Sequence, residues 1–538
     1  MRLTAPTRAA RGALLLAALA PAAHAALTEN IAISPVAMSL GNAVTADPPG
    51  LDSIHFNPAG LARVRRDTRS DTIFGASLRV DAKLTPGPDY DVGGYGVADD
   101  PLANTVSSHN RQAIYLPGIG RASPRLPVAL AAGLGLAWHP EDSDWTFGTA
   151  TYVPQAVGID RSKDPNDPAR FDGKKVVIQR LVYLSPTVGY KVSDTFKVGI
   201  GVPIAHQGFA LSTDMRFPNQ LIGIIGKLQD GWCGQNGNPI DKLGFGICGT
   251  DGKNGRLRPF QKAGAMEFNM TAPADMTVNV GALWEPIPEF ALGAVYQGGS
   301  HTVLTGTYNF HAEPMFRDFT AGMYNSLLGP LVAAMFGFPT NIPEDQSGNV
   351  TLVLPTPAHV QLGVKLKPVD MVQLNIDANY TDWGKWDKLT FRFDQSVKLL
   401  ETARIFGLSD PSQLSIPRGY KSVWHMGYGL QIEPIEGLKL RLGYEPRKSS
   451  VPSDKIDLIA PMPKLPVRSV GASLDMGDGT KIDLGASFAK GRFDAPPNTS
   501  CNLNCTDFFN VIYNPYAGMD VSGDLIIRYL GVKITKPF

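Results

Sequence analysis

Residues 371–381 read MVQLNIDANYT, and their order decides the class of fold. Val372, Leu374, Ile376, Ala378 and Tyr380 fall on one side of an extended chain; Gln373, Asn375, Asp377, Asn379 and Thr381 fall on the other. Successive side chains of a strand point to opposite faces, so this is a strand with one greasy face and one wet face. The pattern recurs along the chain. Phe196, Val198, Ile200, Val202 and Ile204 oppose Lys197, Gly199, Gly201 and Pro203. Val128, Leu130, Ala132, Leu134, Leu136 and Trp138 alternate with Ala129, Ala131, Gly133, Gly135 and Ala137, and Leu438, Leu440, Leu442 and Tyr444 oppose Lys439, Arg441, Gly443 and Glu445.

Soluble sandwiches alternate too, so three further features place these strands in a membrane. Many segments run about 10–13 residues, against about 5–6 for globular strands and about 9–11 for a tilted crossing. Aromatic residues close the apolar faces, as Trp138, Trp284, Tyr296, Tyr380 and Tyr444 do, which suits an interfacial girdle. Short links at 191–194, 286–289, 368–370, 434–437 and 477–479 alternate with long ones near 85–110, 139–172, 210–275, 312–357, 394–420, 447–466 and 491–522. Short turns on one side and long loops on the other are the pattern of a bacterial outer-membrane barrel. The expected strands are 71–84, 110–120, 127–138, 174–190, 195–209, 275–285, 290–310, 358–367, 371–393, 420–433, 437–446, 466–476, 480–490 and 523–535. The fold expected is therefore all-β, a 14-stranded antiparallel transmembrane barrel, the even number such barrels take.

Composition agrees with this and excludes other classes. The 538 residues carry a net charge of +1, with 18% charged and 43% apolar. A nucleic-acid binder would show a basic domain. Residues 1–25 carry Arg2, Arg8 and Arg11, an apolar stretch from Gly12 to Ala20, and Ala23-His24-Ala25, which read as a secretory signal peptide. Its removal leaves 47 Lys and Arg against 49 Asp and Glu. The four cysteines fall into two local pairs, Cys233/Cys248 and Cys501/Cys505, expected as disulfide staples of outer loops in an oxidising compartment. A zinc site needs four converging ligands, and no CxxC or His pair at ligand spacing exists. No metal or cofactor is expected. Motifs of the HExxH, GxSxG or Walker type are absent, so no catalytic residue is assigned.

The domain reading is 1–25 signal peptide, 26–70 plug, and 71–538 barrel. Residues 26–70 do not alternate, and Pro35, Pro48, Pro49 and Pro58 prevent regular structure. A wide barrel leaves an open lumen unless something fills it, and this segment is long and apolar enough to do so. Two outer loops carry helical periodicity. Leu221 and Ile225 belong to a stripe in 218–228, and Met315, Phe316, Phe319, Met323, Leu327, Leu331 and Phe336 belong to one in 314–338. Loops facing water have no reason to be this greasy unless they bury something: each other, or a captured hydrophobic ligand. The uncharged run 319–343 is broken by Gly329-Pro330 and Pro339, so two short helices are expected there instead of a membrane span.

At GNAVTAD and HFNPAGLA (His55 to Ala62) the chain resembles the FadL family of outer-membrane transporters of long-chain fatty acids, whose relatives import aromatic hydrocarbons. The family's Asn-Pro-Ala motif matches Asn57-Pro58-Ala59, followed by Gly60; YTDWGKWDKL (380–389) and YEPRKSSVP (444–452) are also similar, while Pro48-Pro49-Gly50 departs from the family's spacing. The resemblance implies that residues 26–70 are a hatch that a ligand rearranges, and that the two greasy loops form the first capture site. A terminal Phe538 after Leu530, Val532 and Ile534 resembles the signal read by the outer-membrane assembly machinery, with Lys536 interrupting that face. Lys365, His425, Lys439 and Arg441 are the lumen cations suited to a ligand carboxylate. The function expected is passive uptake of hydrophobic molecules, long-chain fatty acids first and hydrocarbons as the alternative, by a monomer set among outer-membrane lipid and lipopolysaccharide. A lipid hydrolase or a general porin are the rivals.

Overall fold

The computed structural model describes residues 29–30, 33–108, 111–124, 128–234, 238–250, 254–506 and 514–538. The signal peptide expected over 1–25 lies outside them. Fourteen antiparallel strands close a barrel. They are β1 (Thr68–Pro86), β2 (Ala129–Trp138), β3 (Trp145–Asp160), β4 (Lys175–Leu184, then Thr187–Lys191), β5 (Phe196–Gly201, then Ile204–Met215), β6 (Gly264–Met276, then Asn279–Ile287) and β7 (Phe290–Gln297, then Ser300–Ala312). Then follow β8 (Asp345–Thr356, then His359–Val369), β9 (Val372–Thr381, then Lys388–Phe393), β10 (Gln413–Pro417, then Val423–Ile435), β11 (Leu438–Arg447), β12 (Leu465–Asp475), β13 (Lys481–Ala495) and β14 (Met519–Pro537). Closure is by β1 against β14, in register from Thr68↔Pro537 to Pro86↔Met519. No edge is left on that seam.

The apolar faces point outward. Ile73, Leu130, Trp138, Val280, Trp284, Leu292, Tyr296, Leu440, Leu442, Val470 and Leu530 are all exposed, as a lipid-facing band requires. Aromatic contacts mark the short-turn end: Trp138 stacks on Phe147 at 5.5 Å and Trp145 lies 4.3 Å from Tyr190. Among the described residues no helix is long and apolar enough to cross a membrane. The run 319–343 instead contributes to two short helices, α2 (Pro314–Tyr324) and α3 (Gly329–Met335), and the other greasy stripe forms α1 (Gln220–Trp232).

Two strand expectations fail, and they cancel in the count. Residues 110–120 do not span the wall: after a two-residue bridge at Arg111–Gln112 they turn back as a hairpin, Ile114–Leu116 with Gly120–Ala122. The third wall strand is β3, which the alternation left inside a long loop at 139–172. The six-residue stretch 139–144 is a short turn between β2 and β3.

Strands β4 to β10 each break at one level, at Pro186, Pro203, 277–278, 298–299, Pro357, 382–387 and 418–422. Proline cannot donate to the ladder, so it serves such breaks. Beyond this level the strands continue into the long-loop end and enclose an aromatic core. Phe268 stacks on Phe391 at 4.6 Å, and Phe209, Phe310, Phe393 and Leu352 are buried with them. On the short-turn side the inward residues are small or polar, among them Gln373, Asn375, Asp377, Asn379 and Thr381.

Candidate functional site

The N-terminal segment touches all fourteen strands from their inward faces, so it lies inside the barrel. What seats it is a belt of wall glycines. Gly189, Gly199 and Gly281 face one another across β4, β5 and β6, and a Cβ at these positions would fall on Ala62, Pro58 and Asn57. Gly293 pairs with Gly363 beneath Thr45 and Ala46; Gly443 lies on Gly41, Gly471 on Ser39, and Gly485 on Pro35. Glycine inside a strand weakens it, and such positions mark close approach of another backbone. The glycines of the alternating pattern thus have a purpose that alternation alone does not disclose.

Polar groups fix the segment in place. Asn57 is extended at φ −156°, as a residue before proline should be, and it caps the 3-10 helix Pro58–Arg63. Its Nδ2 donates to Thr45 O at 2.7 Å and to Ala282 O of the wall at 3.1 Å, while Oδ1 accepts from Ala59 N. Gly60 closes against Pro48 and Ser53 without room for a side chain. Arg63 bonds Asp47 at 2.9 Å and Glu285 at 2.5 Å, and Glu285 also holds Lys197 at 2.8 Å. Burial alone would raise the Asp47 carboxyl, but Arg63 and Lys365 outweigh it and hold the group below its ordinary value. Lys533 reaches Asp52 at 2.6 Å, and the Asn42 amide donates to Glu445. His55 bonds Asn30 at 2.9 Å; burial pushes its imidazole down to about 3, helped by His359 and Arg180. Burial pushes Glu29 the other way, up to about 8, against the pull of Arg447. The cavities beside this segment measure about 40, 20 and 20 Å³, room for single waters.

A larger space lies in the wall itself. β2 pairs with β3 only from Leu134↔Thr151 to Trp138↔Phe147. Beyond Thr151 the third strand shifts register against β4 between Tyr152 and Gln155, around Pro154, and leaves its neighbour. Residues 129–133 of β2 keep their pairing with β1 but have no strand on the other side. A cavity of about 220 Å³ fills this opening, bounded by Phe74, Leu78, Leu130, Val153, Ile527 and Tyr529 and covered by residues 112–117. No Asp, Glu, Lys, Arg or His lines it. Leu130 is lipid-facing, so the opening lies within the apolar band. This space escaped the alternation because it is made by a missing ladder.

The residues expected in the loop groove separate into two sets. Met315, Phe316, Phe319 and Met323 are buried in the aromatic core, and Leu221 and Ile225 pack partly against it. Leu327, Leu331 and Phe336 point outward, with Leu331 74% exposed. The four lumen cations all face protein acceptors. Lys365 lies 3.9 Å from Asp47, His425 2.8 Å from Glu445, and Lys439 3.8 Å from Glu433. Arg441 donates to Gln431 and Ser473. Cys233–Cys248 and Cys501–Cys505 are disulfides, both at the long-loop end.

Residues 13–502 match the family model of outer membrane protein transport proteins, OMPP1/FadL/TodX. A FadL homologue of Pseudomonas aeruginosa is similar at TM-score 0.64 and 17% identity, covering 95% of this chain and 100% of that one. The toluene transporter TbuX of Ralstonia pickettii gives 0.53 at 15%, over 94% and 98%, and the toluene transporter TodX of P. putida 0.55 at 13%, over 95% and 99%. At such identities the likeness is one of fold. No curated protein matches the chain.

Proposed function

The chain belongs to the OMPP1/FadL/TodX family of outer-membrane transport proteins, and from that premise we propose that it takes hydrophobic cargo from outside and, with its hatch seated, releases it sideways through its wall. The family consists of transport channels, not enzymes, and its members carry hydrophobic compounds across the outer membrane. In this reading residues 26–70 are the hatch, and the greasy loops that carry Leu221, Ile225, Leu327, Leu331 and Phe336 collect cargo from outside. The observation that carries the route is the contrast in free space: about 220 Å³ of apolar cavity in the wall against water-sized spaces beside the segment that fills the lumen. Cargo released there enters the bilayer without crossing the polar lumen.

The same cavity bears on which cargo. Long-chain fatty acids are the broad expectation for this family, but a carboxylate entering a space with no cation would be costly. The lumen cations suited to meet it are engaged with Asp47, Glu285, Glu445, Glu433 and Ser473. A cavity of about 150 Å³ can hold benzene, so about 220 Å³ suits a substituted ring or a short alkyl chain. We therefore favour a neutral hydrocarbon over a fatty acid.

The test is uptake of radiolabelled toluene and oleate by cells that lack other hydrophobic transporters, with and without this protein. Faster toluene entry that excess oleate does not slow supports the reading. Oleate accumulation without toluene entry reverses the choice of cargo, and no gain for either removes the transport reading.

A further inference from the structure

Residues 112–117 of the stretch Arg111–Ala122 cover the wall opening, and the stretch is attached less continuously than the strands that flank that opening. β1 and β14 share a continuous ladder along their full length, whereas this stretch has a bridge of two residues, Arg111↔Asp160 and Gln112↔Ile159, extended by Ala113 N donating to Gly158 O at 3.2 Å. Arg111 also lies 3.7 Å from Asp160, and two glutamine side chains that imitate a neighbouring strand add to this. Gln112 accepts from Leu78 N at 3.0 Å and donates to Leu78 O at 2.7 Å. From the wall, Gln179 accepts from Tyr115 N at 3.1 Å and donates to Tyr115 O at 2.8 Å. Each amide thus takes both polar groups of one residue's backbone, and those of Leu78 are the groups β2 would have paired had it continued past Ala129.

We propose that Arg111–Ala122 is a door over the wall cavity, latched by Gln112 and Gln179, and that hydrophobic cargo leaves for the bilayer when these latches let go. The inference rests on the sideways route proposed above. A side-chain amide can swing away by rotation about its own bonds, while a ladder opens only with its whole strand. The door carries the chemistry its place demands. Tyr115 is buried on its inner side, packed over Gly208 with its hydroxyl donating to Asn269 at 2.9 Å. Its tip is apolar, turning through Gly118 and Gly120 at φ +76° and +94°, with Ile119 76% exposed. Arg121 anchors the far end to Glu267 at 2.6 Å, so the stretch is held at both ends and latched between them.

Two variants test the door. In Gln112→Cys with Ile159→Cys the two positions are register partners, so oxidation ties the door to β3. Toluene uptake by this variant should fall to the level of cells without the protein when oxidised and recover with reductant, while wild type treated with the same reductant keeps its uptake. Wild-type uptake through an oxidised, fully cross-linked door overturns the proposal. The second variant, Gln112→Leu with Gln179→Leu, is read by hydrogen exchange on the intact barrel, a measurement independent of cargo. Amides 113–116 should exchange roughly tenfold faster or more, with the wall strands unchanged. Equal exchange in variant and wild type would also overturn the door, whether or not toluene is carried. Absence of toluene uptake by the wild type, with faster exchange in the leucine variant, would remove the transport reading and leave the latches standing.

Discussion

The glycine belt offers a sharp perturbation of the hatch. A Cβ at Gly199 would lie 2.5 Å from the Ala59 amide nitrogen, against backbone that has no free end to bend away. A Cβ at Gly443 would lie 2.8 Å from Ser39 O, against a different part of the segment. Overpacking of this kind costs about 1–3 kcal/mol per site. The two sites touch separate stretches of the hatch, so their effects should add to about 4 kcal/mol, roughly a thousandfold in the undocked population. Gly75→Ala is the control, because its nearest neighbour is the Leu130 side chain at 3.8 Å. Conductance of single barrels in planar bilayers is the assay, with heat-resistant migration on gels to show that the wall is intact. Gly199→Ala with Gly443→Ala should give frequent large openings from a folded barrel, and Gly75→Ala should match wild type. If the double variant stays as quiet as wild type, the belt does not hold the hatch.

Other outcomes follow from burial and charge. Phe319→Ser opens the aromatic core and should cost about 3–5 kcal/mol of loop stability, whereas Leu327→Ser and Leu331→Ser on the exposed side should leave folding alone and weaken cargo capture by about 1–2 kcal/mol each; proteolysis and equilibrium binding of labelled toluene separate the two. Hatch docking should depend on pH with a plateau. Undocked His55 gains a proton below 6.5 and the docked ring not until about 3, so docking weakens as pH falls; undocked Glu29 loses its proton above 4.5 and the docked group not until about 8, so docking weakens as pH rises. The contributions of these two groups cancel between 4.5 and 6.5, and protease sensitivity of residues 29–64 should be lowest there and rise on both sides. Replacing Cys233 and Cys248 by Ser should cost the outer loop about 3 kcal/mol, seen as faster cleavage between positions 233 and 248 with the barrel still heat-resistant.

The sequence discloses the barrel because lipid imposes a strict period of two on the outer faces of β9, β11 and β14, and the short turns punctuate it. It hides β3 because that strand, WTFGTATYVPQAVGID, carries small residues where its inner face meets Leu61 and Ile54, and a proline where it leaves β2. It misleads at 110–120, where YLPGIG is apolar for the sake of a hairpin tip and not for a crossing. The extensions of β6 and β8 beyond the membrane are hidden as well: their outward residues, such as Glu267, Asn269 and Thr351, are polar and exposed. Asn57 and Pro58 were legible through their motif, but the wall glycines that receive them lie hundreds of positions away in some cases, and only the closed sheet aligns them. The acidic partners of Lys365 and His425 come together by the same closure.

The location of bound cargo tests the central claim most directly. Crystals of the intact protein soaked with bromobenzene would reveal the ligand by the anomalous scattering of its bromine. Density is expected in the wall, between residues 129–132 and 153–158 beneath the door, with the hatch still seated on Gly199 and Gly443. Bromine found only in the lumen on the periplasmic side of a displaced hatch, with the wall cavity empty, would contradict sideways release and place the route through the barrel axis.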